Sequence, residues 1–289
     1  MSQTPAIHHE NSPCLHTSRD IIRFRRNIFT KCLVRGDAPE GVADCIADPE
    51  KYLAEAQIVK NRPSRLAGVV RLSDGAGVFV KRYNCRGFLY LLKNMFRFSR
   101  PVRNRFIGRK MEITGLPVPK VYGYAVRRIG PILLRSYLFL EYIENTIPTD
   151  EWVKKVLDDE DLFKEYCRQF FDTLIRMHKN GIRHSDLKVS NIYCVPLANG
   201  KYKFGMWDFD AISFLPTHHS EKETCQELAR HISSWILTAE SNGWEVKPAE
   251  LSFQFVRQYY RASSLRIPQT TVNTEVNRFL ARKNSNYVL

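Results

Sequence analysis

Apolar residues alternate with polar ones in short runs through the first half of the chain and recur at threes and fours through the second. The change of period falls near residues 143–150. In the first half, Ile21, Ile22, Phe24, Ile28 and Phe29 interleave with Arg23, Arg25 and Arg26. That cluster reads as a strand or helix edge with a solvated basic face, in preference to a nucleic-acid arm. Residues 49–55 predict a short helix and 57–60 a short strand. Asn61-Arg62-Pro63-Ser64-Arg65 is a turn by composition, 66–72 has strand character, and Ser73-Asp74-Gly75-Ala76-Gly77 is a hairpin signal. Val78-Phe79-Val80-Lys81 follows as a strand that ends on a lysine. Strand, turn, strand with local pairing predicts an antiparallel sheet.

Residues 81–110 hold ten Lys or Arg and no acid before Glu112. On a helical projection Arg86, Lys93, Arg97 and Arg100 fall within about 60° of one another. Phe88, Leu91, Leu92, Met95, Phe96 and Phe98 take the other side. Two readings stay open for this amphipathic basic helix: an apolar stripe packed on the sheet with a merely solvated basic face, or a surface for an anionic membrane or phosphorylated substrate. Gly115-Leu-Pro-Val-Pro119 stops the helix, and 121–126 and 137–143 read as strands. Beyond Thr149 the pattern is helical: Leu162, Phe163, Tyr166, Phe170, Phe171, Leu174, Ile175 and His178 recur at threes and fours, with Gly181 as terminator. Residues 224–237 and 248–261 continue the helical pattern, and a polar tail closes the chain. No internal repeat is visible.

With 289 residues the chain is long enough for two folding units or one two-lobed domain. The expected division is a flexible polar arm (1–20), a sheet-rich lobe (21–143) and a helical lobe (144–289). Seven dispersed cysteines without a CxxC pair argue against a zinc site or disulfide framework and suit a reducing cytoplasm. The first 20 residues lack a signal-peptide apolar core, and no run approaches the ~18 apolar residues of a membrane span. The expectation is a protein neither integral to the membrane nor secreted. A formal charge of +14 favours an anionic partner. Zinc-finger spacing, an RNP motif and a basic zipper are all missing, so nucleic acid is not expected.

The informative segment is His184-Ser185-Asp186-Leu187-Lys188-Val189-Ser190-Asn191, with Asp208-Phe209-Asp210 further on. It follows a helix and its glycine stop, and two strand-like runs flank an Ala-Asn-Gly turn before the second acid. Phosphoryl transfer proceeds through a loose transition state with charge spread over oxygens, and it needs a metal, a lysine on the phosphates and an aimed acceptor hydroxyl. Asn191 and Asp208 are hard oxygen ligands suited to Mg²⁺. Asp186 would orient the acceptor hydroxyl and take its proton late, Lys188 would reach the transferring phosphate, and Lys81 would meet the α- and β-phosphates. His184 reads as a brace for the loop in preference to a proton carrier. His178 reads as a helix-end packing residue, and the adjacent His218 and His219 as solvated loop.

On these residues the sequence resembles the protein-kinase-like superfamily: a strand lysine, an HxDxxxxN loop and an aspartate before phenylalanine. Within it the chain is similar to bacterial lipopolysaccharide core kinases, the heptose and Kdo kinases. That narrower match is carried by Lys81-Arg-Tyr-Asn-Cys-Arg-Gly87, Phe98-Ser-Arg100, Gly115-Leu-Pro-Val-Pro119, Tyr137-Leu-Phe-Leu-Glu-Tyr-Ile143, His184-Ser-Asp-Leu and Asp208-Phe-Asp210, spread over about residues 50–240. The resemblance implies an α+β, bilobal protein-kinase-like fold, with an antiparallel sheet and helix in the N-lobe and a mainly helical C-lobe. It also implies use of ATP and Mg²⁺, a sugar hydroxyl of the lipopolysaccharide inner core as acceptor, and a cytoplasmic location at or near the inner membrane. Glu141 to Ile143 would be the hinge whose backbone faces adenine.

The sequence departs from the superfamily pattern in three places. No G-x-G-x-x-G precedes Lys81; the turn 61–65 lies where a phosphate-covering loop belongs, and there the backbone of Ser64 and Arg65 would serve without glycine. Glu112 is the one acid between Lys81 and Gly115 and so the candidate partner of Lys81, at the very end of its helix. Asp210 replaces the usual glycine after Asp208-Phe209. An atypical, minimal Ser/Thr protein kinase is the alternative, favoured by Lys188 two residues after Asp186. Against it, ten residues (211–220) separate Asp210 from the next helix, and no Ala-Pro-Glu follows. A catalytically dead nucleotide-binding fold is disfavoured because the lysine, both acids and the asparagine are present.

Overall fold

The structure is a computed structural model that describes residues 16–18, 21–84, 87, 98–215 and 220–289. The chain divides into two compact units, one of residues 1–106 with 120–142 and one of residues 107–119 with 143–289. Architecture is mixed helix and antiparallel sheet, as the periods predict.

The first unit is built on an eight-stranded antiparallel sheet. Its strands are β1 (His16–Ser18), β2 (Ile21–Asn27), β3 (Thr30–Arg35), β4 (Gln57–Arg62), β5 (Arg65–Arg71), β6 (Gly77–Asn84), β7 (Val121–Ile129) and β8 (Ile132–Glu141), in spatial order β1-β2-β3-β7-β8-β6-β5-β4. Short helices α1 (Val42–Ala47) and α2 (Pro49–Ala54) cover one face. Val42, Cys45, Ile46 and Leu53 pack there with Cys32, Val34, Val78, Val80, Ala125 and Phe139 into one apolar core. Glu50 of α2 ties this layer to two strands through Arg82 at 2.8 Å and Arg135 at 3.2 Å. Gly123 marks a bulge in β7, where a Cβ would stand 2.1 Å from the Leu33 carbonyl oxygen.

Several expected boundaries move. The polar arm is interrupted by β1, which pairs with β2, and the Arg23-to-Asn27 segment is a strand. The turn expected over 61–65 contracts to Pro63 and Ser64, because Arg62 pairs with Arg65 across a two-residue hairpin. β7 and β8 each run beyond their predicted ends, to a Gly130-Pro131 turn; Arg127, Arg128 and Arg135 hide the alternation there. Most of the basic helix expected within 81–110 lies outside the described residues. Inside them, β6 reaches Asn84 and α3 (Arg100–Ile113) begins at Arg100.

The second unit is mainly helical: α4 (Thr149–Asp158), α5 (Glu160–Lys179), α6 (Glu221–Ser241), α7 (Pro248–Ala262) and α8 (Gln269–Ala281). Two small two-stranded sheets join them, β10 (Ile192–Pro196) with β11 (Tyr202–Met206), and β9 (Ile182–His184) with β12 (Ile212–Phe214). The Asp159 carboxylate caps α5 by accepting from the Asp161 and Leu162 amides, and Gly181 (φ 65°) follows its end. Phe163, Tyr166, Phe170, Phe171, Leu174 and Met177 turn inward on α5. There Tyr166 packs edge-on to Trp235, Phe204 and Phe255 and tilted against Trp152. The Ser220/Glu223 capping box starts α6 at Glu221.

The polar tail is in large part a helix. Val272, Val276 and Leu280, at spacings of four, form a narrow buried stripe on α8 that sequence inspection passes over among polar neighbours. The described cysteines are free and buried, and burial pushes the thiols of Cys32, Cys45 and Cys194 up to about 12, so they are unreactive at neutral pH. Among the described residues no helix is long and apolar enough to cross a membrane.

Candidate active site

The loop after β9 carries the dense chemistry of the helical unit. β9 ends on His184, which pairs with Ile212 of β12, and the Ser185 amide donates to the Ala211 carbonyl. The His184 ring is fully buried, and burial lowers its pKa despite the nearby Glu227, so the imidazole is neutral. Its Nδ1 accepts from the Asp186 amide at 3.3 Å, which places the ring proton on Nε2. In this geometry the imidazole braces the loop.

Asp186 is about a third exposed and held from both sides. Its Oδ1 accepts from Arg230 Nη2 at 2.7 Å and Nε at 3.2 Å, and its Oδ2 lies 3.0 Å from Lys188 Nζ. Burial alone would raise this carboxyl, but the hydrogen bonds from Arg230 and Lys188 outweigh it and hold the carboxyl below its ordinary value. A carboxylate in this state stays ionised and takes a proton only from a group whose own acidity is rising. That is the behaviour required of a base that acts late on an acceptor hydroxyl.

Asn191 closes the same loop in a short 3₁₀ turn. Its Nδ2 donates to the Asp186 carbonyl at 2.8 Å, which ties the side chain into the loop. Asp208 lies 17 residues on in sequence, but the β10–β11 hairpin returns the chain to the same place. Ile192 pairs with Met206, and the Trp207 amide donates to the Asn191 carbonyl at 3.2 Å. Asp208 Oδ1 in turn accepts from the Asp210 amide at 3.3 Å, so Asp210 contributes backbone to the turn. Among the described residues no group of three His, Cys, Asp or Glu side chains is arranged around a point. An amide oxygen plus one carboxylate is nevertheless a fitting donor set for Mg²⁺, which keeps water and phosphate oxygens as its other ligands.

Helix α6 supplies what sequence inspection misses. Glu227, 2% exposed, accepts from the His184 amide at 2.6 Å through Oε1 and from the His178 ring at 2.8 Å through Oε2. His178 is thus an anchor between α5 and α6 as well as a packing residue. The Ser234 hydroxyl accepts from the Val189 amide at 2.8 Å. Arg230 reaches Asp186 across 44 residues of sequence, and its guanidinium lies 5.3 Å from the Phe279 ring of α8. Glu227, His231 and Ser234 recur at helical spacing beside an apolar stripe, a legible signal of a buried polar ridge. Nothing in the sequence points Arg230 at Asp186.

Removing Arg230 as Arg230→Ala is expected to lower kcat by on the order of tenfold, through a misaimed carboxylate. The acid limb of kcat/KM should move to higher pH, since losing a cation disfavours the ionised form. Arg230→Lys should restore the limb more fully than the rate, because the charge returns without the two-donor geometry. A pH–rate profile unchanged in the alanine variant would exclude the coupling.

The remaining predicted residues belong to the sheet unit or adjoin it. Lys81 is buried on β6, between Ala67 of β5 and Leu138 of β8. Arg65 pairs with Tyr83 two rungs away, so Arg65 and Lys81 lie on one face of the sheet, and the Arg65 guanidinium is 5.7 Å from the Tyr83 ring. The Ser64 carbonyl accepts from the Asn84 amide at 3.1 Å, and Asn84 Nδ2 donates to the Pro63 carbonyl at 3.0 Å, which stiffens the turn. The Glu141 carboxylate accepts from the Lys120 amide, and the Glu141 amide donates to the Lys120 carbonyl. Ile143 opens the helical unit, and Glu112 pairs with Arg109 at 3.4 Å near the end of α3.

An antiparallel sheet with a buried strand lysine, and a helical unit whose loop carries an aspartate, a lysine and an asparagine, are the parts of a protein-kinase-like fold. The chain belongs to the lipopolysaccharide kinase (Kdo/WaaP) family, whose model matches residues 57–241. It is 33% identical over 156 residues to a 3-deoxy-D-manno-octulosonic acid kinase of Mannheimia succiniciproducens, covering 52% of this chain and 63% of that protein. A second relative is the serine/threonine-protein kinase PKH2 of Saccharomyces cerevisiae, 32% identical over 105 residues, covering 36% of this chain and 9% of the yeast protein. The chain thus spans less than two thirds of the length of these relatives. Among solved structures, WaaP in complex with acyl carrier protein superposes with a TM-score of 0.54 at 14% identity, covering 82% of this chain and 91% of that one. At that identity the likeness concerns the fold.

Proposed function

We propose that the protein is an ATP- and Mg²⁺-dependent phosphotransferase acting on a sugar hydroxyl of the lipopolysaccharide inner core, a heptose or a Kdo. The observation that carries this reading is Asp186, an ionised carboxylate gripped by Lys188 and Arg230 on a loop braced by His184, Asn191 and Glu227. In the reaction Asp186 orients the acceptor hydroxyl and receives its proton as the bond to phosphorus forms. Lys188 neutralises charge on the transferring phosphoryl. Asn191 and Asp208 would hold Mg²⁺, which when bound would draw charge off the phosphate oxygens. In the sheet unit, Lys81 takes the α- and β-phosphates. The backbone of Ser64 and Arg65 covers the phosphates, and Glu141 and Ile143 offer backbone to adenine.

One feature favours a glycolipid acceptor over a polypeptide. Ile212 and Phe214 are committed to pairing with His184 and Ile182, and α6 begins at Glu221, which leaves little chain for a peptide platform. The enzyme would work in the cytoplasm, at the inner face of the membrane where this glycolipid is assembled. Incubation with labelled ATP and either inner-core glycolipid or a protein mixture tests the reading. Label is expected in the glycolipid, and label confined to polypeptide would turn the assignment to a minimal Ser/Thr protein kinase.

A further inference from the structure

Three hairpin turns lie at one end of the eight-stranded sheet. Register places 28–29, 63–64 and 130–131 together at that end, because Thr30 pairs with Arg127, Ile129 with Ile132, and Arg62 with Arg65, whose rung runs across Tyr83 of β6 to Ser136 of β8. Two of the turns are joined directly, the Arg128 amide donating to the Phe29 carbonyl at 2.8 Å. Their apolar residues point outward: Ile28 is 78% exposed, Phe29 40%, Ile129 48% and Ile132 37%. Four large apolar side chains on adjoining turns are a patch, not scattered exposure.

A basic collar surrounds the patch. Arg25 and Lys31 are exposed and stand directly opposite each other on β2 and β3, a like-charge cross-strand pair that disfavours the sheet in isolation. Arg127 is exposed on the opposite face, paired in register with Thr30. The neighbouring cations Arg26 and Arg135 are answered by Asp48 and Glu50. Among the described residues Arg25, Lys31 and Arg127 form no ion pair. Cations on both faces, behind an apolar rim, match a layered partner with apolar tails below and anionic headgroups above.

We propose that this end of the sheet docks on an anionic lipid bilayer. Ile28, Phe29, Ile129 and Ile132 enter the headgroup–acyl boundary, and Arg25, Lys31 and Arg127 meet lipid phosphates. Docking there presents to the membrane the Pro63–Ser64 turn, the same turn proposed to cover the nucleotide phosphates. The inference rests on the sheet unit alone and not on the phosphotransfer reading.

The test is co-sedimentation with phosphatidylglycerol/phosphatidylethanolamine vesicles and with neutral phosphatidylcholine vesicles. The wild type is expected to partition onto the anionic vesicles and more weakly onto neutral ones. Ile28→Asp with Phe29→Asp should lower the partition coefficient by on the order of tenfold or more. Arg25→Glu with Lys31→Glu should lower it by a similar factor at low ionic strength, with the difference shrinking at about 0.5 M salt. The two pairs change different chemistry, so misfolding of one leaves the other decisive. Wild type that ignores anionic vesicles, or either folded pair binding like wild type, would overturn the proposal. So would a dimer dissolved by Ile28→Asp/Phe29→Asp with vesicle binding intact, which would assign the patch to a second copy of the chain. ATP binding, measured on the same samples, is expected to hold in every variant and reports separately on the phosphotransfer reading.

Discussion

The Asp186→Asn protein is expected to bind ATP as the wild type does and to turn over on the order of 10³-fold more slowly. Asparagine keeps the size of the side chain and one acceptor oxygen, but it cannot take the proton of the acceptor hydroxyl. It also removes the charge on which Arg230 and Lys188 converge. Because Asp186 is about a third exposed, the stability cost should be ~1 kcal/mol or less, too small to account for the lost rate by unfolding. Single-turnover kinetics with saturating nucleotide separates chemistry from binding. Near-normal turnover would mean that another group accepts the proton and that Asp186 is not the base.

Replacing Glu227 should lower the stability of the helical unit markedly. Glu227→Ala leaves the His184 amide and the His178 ring without their shared acceptor in a buried site, at an expected cost of about 3 kcal/mol. Glu227→Gln keeps an acceptor for the His184 amide and should cost about 1 kcal/mol. Urea unfolding followed by tryptophan fluorescence reads both, since Trp152 and Trp235 lie in the core of that unit. The alanine variant should also lose activity at temperatures where it is still folded, because the loop that carries Asp186 loses its tether to α6. Equal stability of the alanine and glutamine variants would show that the acceptor bond contributes little.

The two predictions concern residues of opposite visibility. Asp186 stands in a dense local pattern, His184 to Asn191, whose spacing follows from a tight loop and needs no distant partner to be noticed. Glu227 and Arg230 stand in a helix with an apolar stripe, and their targets lie 43 and 44 residues upstream. The separation reflects how each bond is made. The Asn191 amide reaches back to the Asp186 carbonyl within one loop, whereas Arg230 meets the Asp186 carboxylate only after α6 has packed beside β9 and the following loop.

Element recognition divides in the same way. α5 is legible because six large apolar residues repeat on one face, and its capping aspartate and closing glycine bracket it. α8 reads as tail because three apolar residues in a polar run are a weak local signal. Those three, Val272, Val276 and Leu280, are buried only in the folded unit. The outer parts of β7 and β8 escape sequence inspection for a related reason. Pairing with one another extends them through arginines that have little strand preference of their own.

Alternation in the first half, helical spacing in the second, and one loop of acid, lysine and amide are written in the residues themselves, because each depends on neighbours within a few positions. Which cations hold the Asp186 carboxylate, which acid anchors its loop, and which turns gather Ile28, Phe29, Ile129 and Ile132 at one sheet end are decided by tertiary packing. Those contacts join positions tens to a hundred residues apart, and a side chain's partner at such distance is set by where strands and helices pack, not by the residues beside it.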